Sequence, residues 1–237
     1  MRRCPVRIAS RLSCKEDRRS HAFVGRRPRN FVRSRVTLTW PSDRLTGAMN
    51  HPPEPLLKTK DLLIRRGRQD DLTLIVDFFG RNKAHLAPFS PERPPHFYSF
   101  DYWRAALRRA DEAFYADREA HCFVYWQDES AVIGVVNLSN FVRGVFQACH
   151  LGYSIDGEVE GTGRMRAAVD ALVGYAFGEL NMHRIMANYL PDNERSGRLL
   201  EALGFVREGV ARDYLRIAGC WRDHVLTARI NPDWREL

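Results

Sequence analysis

Residues 158–166, Glu-Val-Glu-Gly-Thr-Gly-Arg-Met-Arg, set two glycines one residue apart at the mouth of a helix-like run. Glycine lets the backbone turn sharply and approach a ligand closely. A helix start offers unpaired N–H groups and a partial positive charge, and together these suit a phosphate. Two nucleotide motifs are excluded by reading on. A Rossmann fingerprint needs a third glycine three residues after the second, where this chain has Arg166, and no Gly-Lys-Ser/Thr is present for a P-loop. Gly161 and Gly163 alone equally describe a tight turn.

The elements that must carry this turn can be read from periodicity. Residues 62–66 are strand-like, and Asp70-Asp71 opens a helix with Leu72, Ile75, Val76 and Phe79 on one face. Prolines 88, 91, 94 and 95 exclude regular structure across residues 87–95. A second helix is expected over 101–116. Residues 121–126 and 132–138 read as strands joined by a turn at Gln-Asp-Glu-Ser, and 148–155 reads as a fourth strand. A long helix over 164–180 follows, with Met165, Val169, Leu172, Ala176 and Leu180 at helical spacing. A fifth strand (183–190), a short helix (194–203) closed by Gly204, and two more strands (206–217 and 221–230) complete the chain. This order predicts a mixed α/β sheet.

A length of 237 residues with 44% hydrophobic content is enough for one sizeable domain with a core. The formal charge of +8 is unevenly placed. Residues 1–48 hold 13 Lys/Arg against 3 Asp/Glu, so of the chain's 37 and 29 the remainder holds 24 and 26. The first 48 residues carry +10 and the rest −2. That basic segment reads as sequence upstream of a true start at Met49, as a disordered arm contacting RNA, or as an organelle transit peptide. Each reading separates residues 1–48 from a domain at 49–237. Cysteines 4, 14, 122, 149 and 220 lack CxxC spacing, so neither a disulfide framework nor a metal site is expected. No stretch approaches 18 apolar residues and no signal-like apolar region follows the basic start. The expected location is the cytoplasm, with no membrane partner.

From about residue 60 to 230 the order of elements resembles the GNAT family of acetyl-CoA-dependent N-acetyltransferases. The family's pyrophosphate loop, Gln/Arg-x-x-Gly-x-Gly/Ala, falls on residues 158–163. The run LPDNERSGRLLEALGF carries the Asn-x-x-Ser…Gly-Phe pattern of the branch that acetylates ribosomal-protein N-termini, and HRIMANYLPDNERSG and RDYLRIAGCWRDHVLTA resemble that branch too. The resemblance implies an α/β fold, a mixed, mostly antiparallel sheet flanked by helices and splayed between its fourth and fifth strands. It places the pantetheine arm of acetyl-CoA along Tyr153, Ser154 and Ile155, and the pyrophosphate on Gly161, Thr162, Gly163, Arg164 and Met165. It further implies that Asn193 bonds the pantetheine, that the amine attacks the thioester directly, and that Ser196 protonates the departing thiolate. The family has Gln or Arg where this chain has Glu158, with a second acid at Glu160. Both carboxylates are expected to face solvent, with Arg164 and Arg166 offsetting them. The proline-rich stretch and the 101–116 helix are implied to shape the acceptor site, where Phe89, Phe97 and Tyr98 are candidates and Trp103 reads as core.

A lysine amine, with pKa ~10.4, needs about 3 units of help near neutral pH, roughly 4 kcal/mol, whereas an α-amine titrates near ~7.7–8.0 and needs little. A weak or water-mediated base therefore suffices for an N-terminal substrate. His150, Asp213, Tyr214 and His224 are all candidates, and the sequence does not choose among them. The resemblance implies a ribosomal protein beginning with Ala or Ser as acceptor, and the charge of the basic segment separately suggests contact with the ribosome or its RNA. Two alternatives stay open: acetylation of a small amine such as a polyamine, an amino acid or an antibiotic, and a ribosome-assembly binding factor.

Overall fold

The computed structural model describes residues 53–236, and the readings of residues 1–48 lie outside them. In chain order the strands are β1 (Leu56–Lys58), β2 (Leu62–Arg66), β3 (Ala120–Trp126), β4 (Val132–Val142), β5 (Ala148–Ile155), β6 (Arg184–Tyr189), β7 (Val206–Ile217) and β8 (Cys220–Ile230). The α-helices are α1 (Leu72–Arg81), α2 (Lys83–Leu86), α3 (Phe100–Tyr115), α4 (Arg164–Gly178) and α5 (Glu194–Ala202). They build one sheet in the order β1-β2-β3-β4-β5-β6-β8-β7. Its pairs are antiparallel except β5–β6, which is parallel because α4 carries the chain across between them. The expected mixed, mostly antiparallel α/β sheet is present. β1 was not expected, since its run lies in a Pro-rich lead-in; the expected fourth and fifth strands are β5 and β6.

Alternation along the strands sends side chains into two cores. On one face, Ile75, Phe78 and Phe79 of α1 and Trp103 and Leu107 of α3 pack with Leu63, Phe123, Tyr125 and Val135 of the sheet. Phe79 stacks on Trp103 at 4.6 Å, so Trp103 is core, as its spacing implied. On the other face, α4 buries Met165, Val169, Leu172, Val173 and Ala176 against Ile64, Val124, Val136 and Leu151. Each such side chain contributes roughly 1.5–3 kcal/mol by leaving water. Helix α4 is apolar on most of its circumference, as a helix covered on several sides must be.

One local expectation changes. Residues 87–95 are not wholly irregular, because Ala87–Phe89 forms a 3-10 turn with Pro88 inside its first turn, where the missing N–H costs nothing. Cys122 and Cys149 are free and buried. Among the described residues no helix is long and apolar enough to cross a membrane, and no group of three or more His, Cys, Asp or Glu could hold a metal ion.

Candidate active site

The parallel pairing of β5 with β6 runs from Ala148↔Arg184 to Leu151↔Ala187 and stops there. Beyond it, Tyr153, Ser154 and Ile155 remain paired with β4 only, at Val136, Val135 and Gly134. The sheet is therefore open along one edge of β5, where main-chain N–H and C=O groups are left for a ligand. A cleft of about 790 Å³ occupies this opening. It runs from Tyr153, Ser154 and Ile155 past Gly161, Thr162, Gly163 and Met165 to Asn193 and Ser196.

The glycine loop is built as its spacing implied. Gly161 and Gly163 hold φ of +78° and +80°, and a Cβ on either would project into open space with no protein atom within 4 Å. That space is available to a ligand and the conformation is one that β-branched residues oppose. Gly163 caps α4, the first intrahelical bond runs from the Ala167 N–H to the Gly163 carbonyl at 3.1 Å, and no side chain caps the preceding N–H groups. The Thr162 hydroxyl is committed to the turn, donating to the Val159 carbonyl at 2.6 Å. Met165 is buried in the core, so its N–H, not its side chain, belongs to the loop.

Two expectations about charge are corrected. The Arg164 guanidinium turns away from the cleft, donating to Asp61 at 3.0 Å and lying 4.7 Å from the Trp126 ring, so it offsets no acid there. Glu160 does not face solvent. It lines the cleft and pairs with Arg195, a cation the sequence reading had not singled out. Glu158 is exposed, as expected. Arg166 lines the cleft with no ion pair among the described residues, and Arg198 lines it beside Glu194.

Across the opening, the Tyr153 hydroxyl lies 2.5 Å from Ser196 Oγ. Burial pushes the Tyr153 phenol up to about 12; the Ser196 hydrogen bond pulls it down and Tyr189 adds to the rise. The Tyr153 hydroxyl thus keeps its proton at neutral pH, and whichever hydroxyl accepts in the pair has its own proton free to donate into the cleft. Ser196 is placed by Asn193, whose Oδ1 accepts from the Ser196 N–H at 3.1 Å and caps α5. Asn193 Oδ1 is therefore engaged, and its Nδ2 is the group left for a ligand. Helix α5 sits close on β6, where a Cβ on Gly197 would lie 3.0 Å from the Tyr189 ring. Sequence reading had assigned Tyr153 only its main chain; a side chain reaching across two separated strands leaves no local signal.

Another wall comes from α2 and the 3-10 turn that follows it. His85, Leu86 and Phe89 line the cleft, and Phe89 is half exposed. Arg81 donates to Asp156 at 2.7 Å, and Asn82 Oδ1 accepts from the Gly157 N–H at 3.0 Å, tying the end of α1 to the entry of the glycine loop. Burial alone would raise Asp156, but Asn82, the Glu158 N–H and Arg81 outweigh it and hold the carboxyl below its usual range.

The four candidate bases separate. His150 lies in the still-paired part of β5, opposite Met186; its Nδ1 is buried without a partner and desolvation lowers its pKa. Asp213 is exposed at a bulge of β7, its N–H donating to the Asp223 carboxylate. Tyr214 accepts from Asn188, the first β6 residue past the last β5 pair, and its ring is 5.7 Å from that of buried His224. Tyr214 and His224 are thus brought together at the open end, while His150 and Asp213 are not.

A model of the acetyltransferase (GNAT) domain matches residues 61–206. The chain is 43% identical over 189 residues to the [ribosomal protein uS5]-alanine N-acetyltransferase of Escherichia coli K12, covering 79% of this chain and 97% of that enzyme. The chain belongs to the GNAT acetyltransferase family. In three dimensions it is similar to the ribosomal-protein-S5-alanine acetyltransferase of Vibrio fischeri, with a TM-score of 0.74, 39% identity, and coverage of 77% of this chain and 100% of that one. Mycobacterium smegmatis RimJ, solved with CoA-disulfide, shares the fold at a TM-score of 0.69 and 22% identity, over 74% of this chain and 84% of its own. As a member of this family the chain is an acetyl-CoA-dependent acyltransferase, and the open glycine cradle fits that cosubstrate.

Proposed function

We propose that this protein transfers an acetyl group to the N-terminal α-amine of a ribosomal protein beginning with Ala or Ser, in the cytoplasm, with residues 49–237 as the catalytic unit. The observation that carries the reading is the 43% identity across 97% of the Escherichia coli enzyme named for that activity. Acetyl-CoA supplies an acetyl thioester. The chain's own residues hold it through the N–H groups of Gly161, Thr162, Gly163, Arg164 and Met165, the exposed main chain of Tyr153, Ser154 and Ile155, and the amide of Asn193. Ser196 and Tyr153 share one hydrogen bond across the opening, and the Ser196 hydroxyl passes its proton to the sulfur that leaves. No strong base is needed, since an α-amine of pKa ~7.7–8.0 is already part neutral. The +10 charge of residues 1–48 suits contact with ribosomal RNA.

Peptides beginning Ala or Ser are expected to be acetylated, and an N-blocked peptide with an internal lysine is not. The kcat/KM profile should rise through about pH 7.7–8.0 with the free amine. Spermidine acetylated faster than any such peptide would overturn the acceptor while leaving the fold and cosubstrate in place.

A further inference from the structure

A second cavity, of about 530 Å³, lies beside the cofactor cleft and shares Leu86 with it as a common wall. Its lining combines Phe79 and Lys83 from α1–α2 with Glu92, Arg93 and Tyr98 from the proline-rich stretch. The turn between β7 and β8 closes it, the Ala218 N–H donating to the Ser90 carbonyl at 3.0 Å. Prolines 91, 94 and 95 stiffen the rim, so the space exists before anything enters it.

The charge in this cavity is uncompensated. Lys83 Nζ lies 4.9 Å from the Tyr98 ring centroid and Arg93 Cζ lies 4.5 Å from that of Phe97. Neither makes an ion pair among the described residues. The one acid in the lining, Glu92, is turned to Arg216 at 3.7 Å and against Gly219. Arg195 in the neighbouring cleft, by contrast, already has Glu160. Arg93 is exposed as a residue, but its guanidinium packs on Phe97, and partial desolvation there lowers its pKa, with Tyr102 and Tyr98 offsetting it. A planar guanidinium and an ammonium on aromatic walls, both lacking an anion, match a carboxylate.

We propose that this cavity is a specificity subsite that holds an acidic side chain of the acceptor polypeptide, a few residues downstream of the acetylated amine, on Lys83 and Arg93. The inference rests on the acceptor being a polypeptide N-terminus. An aromatic and proline-walled pocket of this size suits one side chain better than an RNA backbone, which tracks an open basic stripe.

The test uses the full chain and a set of Ala-initiated peptides, each with one Glu placed between positions 2 and 6 of a neutral sequence, beside its Gln counterpart. In the parent protein one register should show KM lower for Glu than for Gln by on the order of tenfold. In Lys83→Gln/Arg93→Gln that ratio should fall to near one, while the Kd for acetyl-CoA holds. Arg93→Lys, which keeps the charge, should retain part of the preference. A Glu/Gln ratio near one at every register in the parent, or a ratio that survives in the double variant, would overturn the subsite. So would an RNA oligonucleotide that competes with the peptides in the parent and not in the double variant. If no peptide of either kind is acetylated, the acceptor reading itself is wrong and the subsite falls with it.

Discussion

The two cavities on either side of Leu86 present different parts of the chain to their ligands. The cofactor cleft offers mostly main chain, from the free edge of β5, the glycine loop and the first turn of α4. The cavity behind it offers side chains drawn from α1–α2, the proline-rich stretch and the β7–β8 turn. Main-chain recognition depends on backbone path, which two glycines at positive φ secure, and it tolerates a change such as Glu158 at an exposed position. Side-chain recognition depends on which charges the fold leaves unpaired. Substitutions around the cofactor cleft should therefore act through geometry, and those on the side of the second cavity through charge and burial.

Gly163→Val should have the largest effect. Acetyl-CoA at a hundred times its dissociation constant adds about 2.7 kcal/mol of stability to the parent. Because a β-branched residue opposes φ near +80° and fills the open cradle, the variant should lose that thermal shift altogether. A shift of unchanged size would move the cofactor off this loop and erase the contrast.

Next come Ser196→Ala and Tyr153→Phe. Each should lower kcat by about ten- to a hundredfold with little change in acetyl-CoA binding, since thiolate departure is assisted but not dependent on that proton. The two oxygens share one hydrogen bond, so the double variant should be little worse than either single one. Additive losses in kcat would mean two independent roles.

On the sheet face covered by α1 and α3, His121 stands between Phe123 and Trp103, and burial, with Arg93 adding, pushes its imidazole down to about 4. It stays neutral in the folded protein while the unfolded chain takes up a proton below about pH 6.5. Stability present above that pH is therefore lost as pH falls toward 4, by about 1–2 kcal/mol once partial exposure is allowed for. Denaturant titrations at pH 7 and 4.5 should show a smaller drop in His121→Gln than in the parent; equal drops would place a charged imidazole in the fold.

The smallest effect is expected for Glu160→Gln. Removing a carboxylate from the cleft and freeing Arg195 should tighten acetyl-CoA by about two- to fivefold, as a partly exposed pair contributes under about 1 kcal/mol. Weaker binding would show that Glu160 is needed to hold Arg195 in place.

Most of the elements are legible in the sequence, because periodicities of 2 and 3.6 and the signals of Asp70-Asp71, Gly163 and Gly204 are local. It also located the glycine loop, since a positive φ at two positions one apart can be written only with residues that accept it. Strand β1 escaped it, being three residues long and held by its register with β2. The tertiary structure alone decided what depends on distance in space. Tyr153 and Ser196 are 43 residues apart, yet the parting of β5 from β6 sets their hydroxyls at 2.5 Å. The same holds for charge: Arg164 leaves the cleft for Asp61, Arg195 enters it with Glu160, and Lys83 and Arg93 are left without an ion pair among the described residues. A side chain's direction is fixed by what packs around it, and one stretch of sequence does not contain its neighbours.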